Sequence, residues 1–360
     1  MDVPIAILGS GNVGQAIAGH LASQGYRVHL YSRWEAELEP IRQAGGIHLQ
    51  GEITGQGRLA VITTDMREAV DGAALVIVAA PAFAHRFLSR ELAECVTTDH
   101  TIIFQPAVLG SSLEFLTLLA AKGKSKVLTA EAETSAYTCR LVEPGRVFIG
   151  AMKPSVDVAA IPASETQRAV DLLNRYFDGR YTAGSNALAI GLGNSNPVYH
   201  CPPSLLNFAA IDQGVDQPFH ELVTPSIARV IDAVDQERIA LGHALGVEVA
   251  SFRDFMARVY SATADGLVER IHQAYGRQAF RAPKSPNDRY LTEDIPFGLV
   301  PWSSIAHQVA VGTPVIDALI TVANGLFGRD LRQEGRTAES LGLNGLSGTQ
   351  IRDLFIAGQA

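Results

Sequence analysis

Short apolar segments rich in β-branched residues recur along the first half of the chain, at Ile5–Leu8, Val28–Tyr31, Leu75–Ala79, Thr101–Phe104 and Val127–Ala130. Enough residues separate them for crossovers, which is the pattern of a parallel sheet covered on both faces. Between the first two, Ile17, Ala18, Leu21 and Ala22 share one face of a helical stretch from Gln15 to Gln24 before Gly25 stops it. That unit reads strand, helix, strand, and such crossovers are right-handed. The longest apolar run, Ala73 to Ala84, is broken by Pro81 and falls short of the ~20 residues that span a bilayer. It reads as a buried strand.

After about residue 185 helical periodicity replaces the short apolar runs. Thr224-Pro225 sets a cap and a first-turn proline ahead of Ile227, Ile231, Val234, Leu241 and Leu245, with Gly246 as the stop. Thr313-Pro314 repeats the signal before Val315, Ile316, Leu319, Ile320 and Ala323. Ser347-Gly348-Thr349-Gln350 has capping-box spacing ahead of Ile351, Leu354 and Phe355. The expected fold is α/β: a Rossmann-type doubly wound parallel sheet over residues 1–185 and a mainly α-helical, substrate-binding domain over 186–360. A chain of 360 residues suits two domains, since single cores stop growing at roughly 250–300.

Composition narrows the partners. A formal net charge of −8, with no Lys/Arg run, argues against nucleic acid and against an acidic membrane surface. Cys95, Cys139 and Cys201 are odd in number and widely spaced, so neither a disulfide framework nor a CxxC metal site is expected, and a reducing cytoplasm is the simplest setting. Met1-Asp2-Val3-Pro4 places no basic stretch before an apolar one and does not read as a signal peptide. A homodimer is one candidate assembly, with no residue patch to identify its interface.

The candidate chemistry starts where the first strand ends. Gly9-Ser10-Gly11-Asn12-Val13-Gly14 follows a strand directly and opens a helix, the context in which a glycine triplet indicates a dinucleotide site. Gly9 permits the turn, Gly11 lets the backbone approach a diphosphate, and Gly14 lets the helix pack closely, with the helix amino end facing the negative charge. An ordinary glycine-rich turn is the competing reading. At the end of the second strand, where an acidic residue would bind the ribose hydroxyls, stands Tyr31-Ser32-Arg33. Ser32 can donate to a phosphate, and Arg33 offers a fork of donors with a permanent charge, so NADPH is expected over NADH. Glu35 and Glu37 lie too far along the chain to replace the missing carboxylate. Ala80 and Pro81, after the strand at Leu75–Ala79, are expected beside the nicotinamide half.

Hydride reduction of a carbonyl or imine needs a proton donor near the atom that receives electrons, and histidine suits that work near neutral pH. Of ten histidines, His200 stands out in the turn-rich stretch Gly193-Asn194-Ser195-Asn196-Pro197-Val198-Tyr199-His200-Cys201-Pro202-Pro203, where the chain enters its second domain. A packed or surface histidine is the plainer reading of the residue alone. Asn196 could bond a substrate or cap the helix bearing His200. Cys201 is a poor nucleophile candidate, because sequence neighbours seldom face one another on a helix.

The order of the glycine turn, Asn196-Pro197-Val198 with His200, Arg289-Tyr290 with Asp294, and Glu334-Gly335-Arg336-Thr337 resembles the opine (octopine/nopaline) dehydrogenase family. The likeness runs nearly end to end and includes Glu133-Thr134-Ser135, Thr138-Cys139-Arg140 and Gly298-Leu299-Val300-Pro301. It implies reductive condensation of an amino acid amine with a 2-keto acid of the pyruvate or 2-oxoglutarate class. It also implies a His200–Asp294 acid/base pair, in which Asp294 fixes the ring tautomer, and an Arg289 that grips a substrate carboxylate through paired hydrogen bonds. A turn-forming Asp294 and a surface salt bridge for Arg289 are the plain alternatives. Two departures stand out: Cys201 replaces a proline common after the histidine, and Ser32 replaces an acidic residue of the norvaline-type branch. Two other functions fit the fold, a 2-keto acid (ketopantoate-like) reductase that ignores amines and a non-catalytic NADPH-binding sensor.

Overall fold

A computed structural model describes residues 3–124, 127–276 and 280–358. The chain divides into two compact units, one running to Gly191 and including the stretch from Leu354, the other covering Leu192–Asp353. The break at 185/186 expected from sequence texture falls slightly early. The helix Ala187–Gly193 is tied to the first unit: a Cβ on Gly191 would lie 2.7 Å from Leu109.

In the first unit the strands are β1 (Ile5–Leu8), β2 (Val28–Tyr31), β3 (Ile47–Gly51), β4 (Gly55–Gly57), β5 (Val61–Thr63), β6 (Leu75–Val78), β7 (Thr101–Phe104), β8 (Leu128–Ala132), β9 (Tyr137–Glu143), β10 (Arg146–Met152), β11 (Val156–Ile161) and β12 (Tyr181–Ala183). Among the described residues eight form one sheet, in the order β12-β11-β8-β7-β6-β1-β2-β5. From β5 to β8 every pairing is parallel, and the central strands are buried on both faces, as their unbroken apolar runs require. β11 then runs antiparallel to β8. The eighth-to-twelfth strand region was only partly legible: β8 extends to Ala132 through the polar Glu131, which is buried because its carboxylate accepts the Ser112 N–H at 2.7 Å.

A second sheet, β4-β3-β10-β9, packs against the helix Asn12–Ser23. Its strands alternate instead of running apolar. In β10, Val147 and Ile149 point inward while Phe148 is exposed.

The second unit is helical. Thr224 caps the helix Pro225–Ala244 by accepting from Ile227 N, as its sequence signal predicts. Ser347 and Gln350 exchange the two bonds of a capping box at 2.9 and 3.3 Å. Thr313 does not cap the helix Pro314–Phe327. The Glu237 carboxylate takes the exposed N–H groups of Val315 and Ile316 at 2.8 and 2.9 Å, and Thr313 Oγ1 bonds Asp317. Arg238 is fully buried and fully engaged: it holds Asp235 and donates to the carbonyls of Leu192 (2.5 Å) and Ala250 (2.8 Å). Its bond to Leu192 fixes the chain entering the Gly193–Asn196 turn. Among the described residues no helix is long and apolar enough to cross a membrane.

Candidate active site

The glycine turn stands at the carboxyl end of β1. Gly9 has φ +121°, and a Cβ on it would lie 2.6 Å from the Ala79 carbonyl oxygen. A Cβ on Gly14 would lie 1.8 Å from the Gly9 oxygen, so only hydrogen lets the helix close on the turn. Gly11 differs: a Cβ there would meet no atom within 4 Å, and Gly11 lines a cavity of about 390 Å³. The helix Asn12–Ser23 has no acidic residue in its first turn and no side-chain cap, which leaves its amino end available to an anion. A cofactor diphosphate therefore fits the residues present.

Gly9, Ser10, Gly11, Ser32, Arg33, Ala80 and Pro81 all line this cavity. Asn12, Val13 and Gly14, also expected at the cofactor, are not among its lining residues. Asn12 Oδ1 accepts Leu141 N at 2.8 Å, and Val13 packs on the core of the first unit. Ala79, Ala80 and Pro81 form a flat wall of small side chains where β6 ends.

Lining residues outside the expected set include Glu37, Trp34 and Phe87, and the first of these bears on the cofactor reading. The expected absence of a carboxylate at the end of β2 does not hold, because Glu37 lines the same cavity and accepts hydrogen bonds from both Ser10 Oγ and Ser32 Oγ. The signal was helical geometry. Glu37 is the third residue of the helix Glu35–Gln43, and side chains in a first turn lean back toward the residues that precede it. The Arg33 guanidinium lies between Trp34 and Phe87, 4.8 Å from the Trp34 ring centre and 4.4 Å from that of Phe87.

In the second unit the helix Asn196–Leu206 carries His200. Asn194 Oδ1 accepts Asn196 N at 3.0 Å, so the cap comes from Asn194, and the Asn196 side chain is exposed. His200 Nδ1 lies 2.7 Å from Asp294 Oδ2, and both side chains are nearly buried, 12% and 8% exposed. A carboxylate only accepts, so Nδ1 carries a proton, and in the neutral ring Nε2 keeps its lone pair. Among the described residues Nε2 has no hydrogen-bond partner. Asp294 heads the π-helical turn Ile295–Leu299 without capping it, and its carboxylate is spent on the histidine. The two segments approach closely because position 298 is glycine: a Cβ on Gly298 would lie 2.3 Å from Pro197 Cγ.

Tyr290, part of the Arg289-Tyr290 motif but given no role from sequence, stacks on the His200 ring at 3.8 Å with a 14° interplanar angle. Phe219 meets the same ring edge-on at 5.8 Å. Aromatic walls on two sides fix the imidazole plane. The Arg289 side chain is half exposed, with Nε 3.6 Å from the buried Glu293 carboxylate. Burial opposes its charge, and the nearby Glu293 and Asp294 carboxylates outweigh that and strengthen it. Cys201 is fully buried and its thiol faces the Tyr290 carbonyl oxygen at 3.9 Å; burial holds its proton far more tightly than in water. It is no nucleophile.

The first unit carries a glycine turn whose cavity fits a dinucleotide diphosphate, and the second a histidine held by a carboxylate. The class is that of the nicotinamide-dependent oxidoreductases. Residues 183–327 match the family described as NAD/NADP octopine/nopaline dehydrogenase, alpha-helical domain, and residues 5–151 match ketopantoate reductase PanE/ApbA. The chain is 33% identical over 349 residues to opine dehydrogenase of Arthrobacter sp. (strain 1C), covering 96% of this chain and 97% of that one. Its fold is that of octopine dehydrogenase solved with NADH and L-arginine, at TM-score 0.82, 22% identity and coverage of 99% and 98%. Yersinopine dehydrogenase with NADP+ bound follows at TM-score 0.76, 18% identity and coverage of 94% of each chain. This chain belongs to the opine dehydrogenase family, oxidoreductases that act on the CH–NH group.

Proposed function

We propose that this protein condenses the amine of an L-amino acid with a 2-keto acid of the pyruvate or 2-oxoglutarate class and reduces the product to an N-(carboxyalkyl) amino acid. The observation that carries the reading is the 2.7 Å contact between His200 Nδ1 and Asp294 Oδ2, with Nε2 left to serve a substrate. Amine and ketone join with loss of water to give an imine. The nicotinamide, when bound, supplies the hydride that the imine carbon accepts. Nε2 of His200 takes a proton from the substrate ammonium so that the amine can attack the ketone, and returns it to the nitrogen as the imine carbon receives hydride, while Asp294 holds the ring in the tautomer this needs. Arg289 takes a substrate carboxylate in a bidentate grip, and the exposed Asn196 side chain adds a polar contact. The setting proposed is the cytoplasm, where the free thiols of Cys95, Cys139 and Cys201 stay reduced.

The expectation of NADPH rested on a missing carboxylate together with the donors of Ser32 and Arg33, and Glu37 brings a carboxylate beside them. A second reading, a 2-keto acid reductase, draws support from the ketopantoate reductase match over residues 5–151. Oxidation of NADH and NADPH by pyruvate or 2-oxoglutarate, with and without a panel of amino acids, separates the two. Turnover that requires the amine is the expected result; equal turnover without it favours the reductase. A sensor without catalysis would show neither, and His200→Ala would then change nothing.

A further inference from the structure

We infer that Glu37 reads the ribose 2′ position of the cofactor and makes this cavity selective for NADH over NADPH, an inference that rests on the nicotinamide reading above. Three acceptors converge at one corner of the cavity. Glu37 Oε2 takes the hydroxyl protons of both Ser10 and Ser32, and its Oε1 has no partner among the described residues. Those two hydroxyls have spent their protons on the carboxylate, and Ser32 Oγ also accepts the Trp34 N–H at 3.3 Å. A ribose 2′-hydroxyl brings a donor to this corner and is satisfied by it. A 2′-phosphate brings only acceptors and negative charge, and meets a carboxylate.

Arg33 is the cation on this wall that could offset the repulsion. Its guanidinium is held between the Trp34 and Phe87 rings, at 4.8 and 4.4 Å from their centres, where it extends an aromatic platform along the cavity wall. Stacking engages the faces of the guanidinium and leaves its edge N–H groups to solvent or ligand. Sequence alone assigned Ser32 and Arg33 to a phosphate. The folded helix Glu35–Gln43 instead commits the serine to Glu37, and the paired rings hold the arginine.

The test is calorimetric titration of the full chain with NADH, NADPH, ADP-ribose and 2′-phospho-ADP-ribose, which needs no turnover. The unphosphorylated member of each pair binds tighter by roughly tenfold or more, the scale of one uncompensated charge contact. Glu37→Gln narrows that ratio by about the same factor, chiefly by tightening the phosphorylated ligands. Arg33→Met weakens both members of each pair alike, since it removes a platform and no phosphate partner. Tighter binding of NADPH by the unaltered protein overturns the role of Glu37 and leaves the cofactor site standing. Selective loss of NADPH binding in Arg33→Met does the same. Failure of all four ligands to bind overturns the cofactor site itself, and the role of Glu37 with it. Melting temperatures of the variants guard against misfolding.

Discussion

Replacing Asp294 with asparagine keeps the shape of the site and alters one property, the ability to do nothing but accept a hydrogen bond. In the native protein the 2.7 Å contact obliges His200 to carry its proton on Nδ1. An amide can turn its NH2 toward Nδ1, which moves the imidazole proton to Nε2 and leaves no lone pair for the substrate. A charge-assisted bond of this length contributes about 1.5–3 kcal/mol, and at 1.4 kcal/mol per decade its loss alone costs about 10- to 150-fold in kcat. Trapping the wrong tautomer raises the loss toward ~10⁴-fold, the scale seen when an analogous aspartate is replaced in a serine protease. Both side chains are nearly buried, so solvent screens little of this. The assay is steady-state oxidation of reduced cofactor at saturating keto acid and amine, beside a calorimetric cofactor Kd and a thermal melt. Cofactor affinity and melting should stay near native while kcat falls at least tenfold. A kcat within threefold of native, with the fold intact, refutes the acid/base role of the pair.

Three further outcomes are expected. Gly14→Ala would put a Cβ 1.8 Å from the Gly9 oxygen, so the turn must open; a stability loss of about 1–3 kcal/mol in denaturant melts and loss of cofactor binding in titrations should appear together, and native binding would speak against the cradle. Arg289→Lys exchanges a bidentate fork for a point charge, and KM for one carboxylate substrate should rise about 10- to 100-fold with the cofactor Kd unchanged; an unchanged KM would return Arg289 to a surface pair with Glu293. Although burial works against it, hydrogen bonds from Ser303, Arg332 and His307 bring the Asp317 carboxyl down to about 2, below the ordinary carboxylate value of roughly 3.9. A depressed carboxyl stabilises the fold above its unfolded value and loses that contribution as pH falls toward the folded one, so denaturant melts should show the advantage of native protein over Asp317→Asn shrinking between pH 4 and 2; a constant advantage would contradict the network.

Much of the architecture was already written in local pattern. Continuous apolar runs such as Ile5–Leu8 and Leu75–Val78 specify strands buried on both faces, and cap signals such as Thr224-Pro225 specify where helices begin, because both depend on residues close along the chain. The glycine turn is legible for the same reason, as Gly9 and Gly14 are required by atoms a few residues away or on the adjoining strand. The motifs around His200 and Asp294 could be paired only by resemblance to a family. Nothing local says that residues 94 positions apart meet at 2.7 Å; that is decided by packing of the π-helical turn on the His200 helix through Gly298.

Where the fold alone decided, the partner lay far along the chain or depended on which way a helix end points. The small sheet joins β3 to β10, and their alternating, half-exposed sequences do not show which distant strand covers them. Thr313 looks like a cap, yet Glu237 on another helix takes its place. Ser32 and Arg33 carry the donors a phosphate needs, and their chemistry was read correctly residue by residue. Their surroundings were not in the sequence. A carboxylate one helical turn onward takes up the serine, and two aromatic rings hold the arginine, because hydrogen bonds and ring faces are satisfied by whatever the folded chain brings nearest.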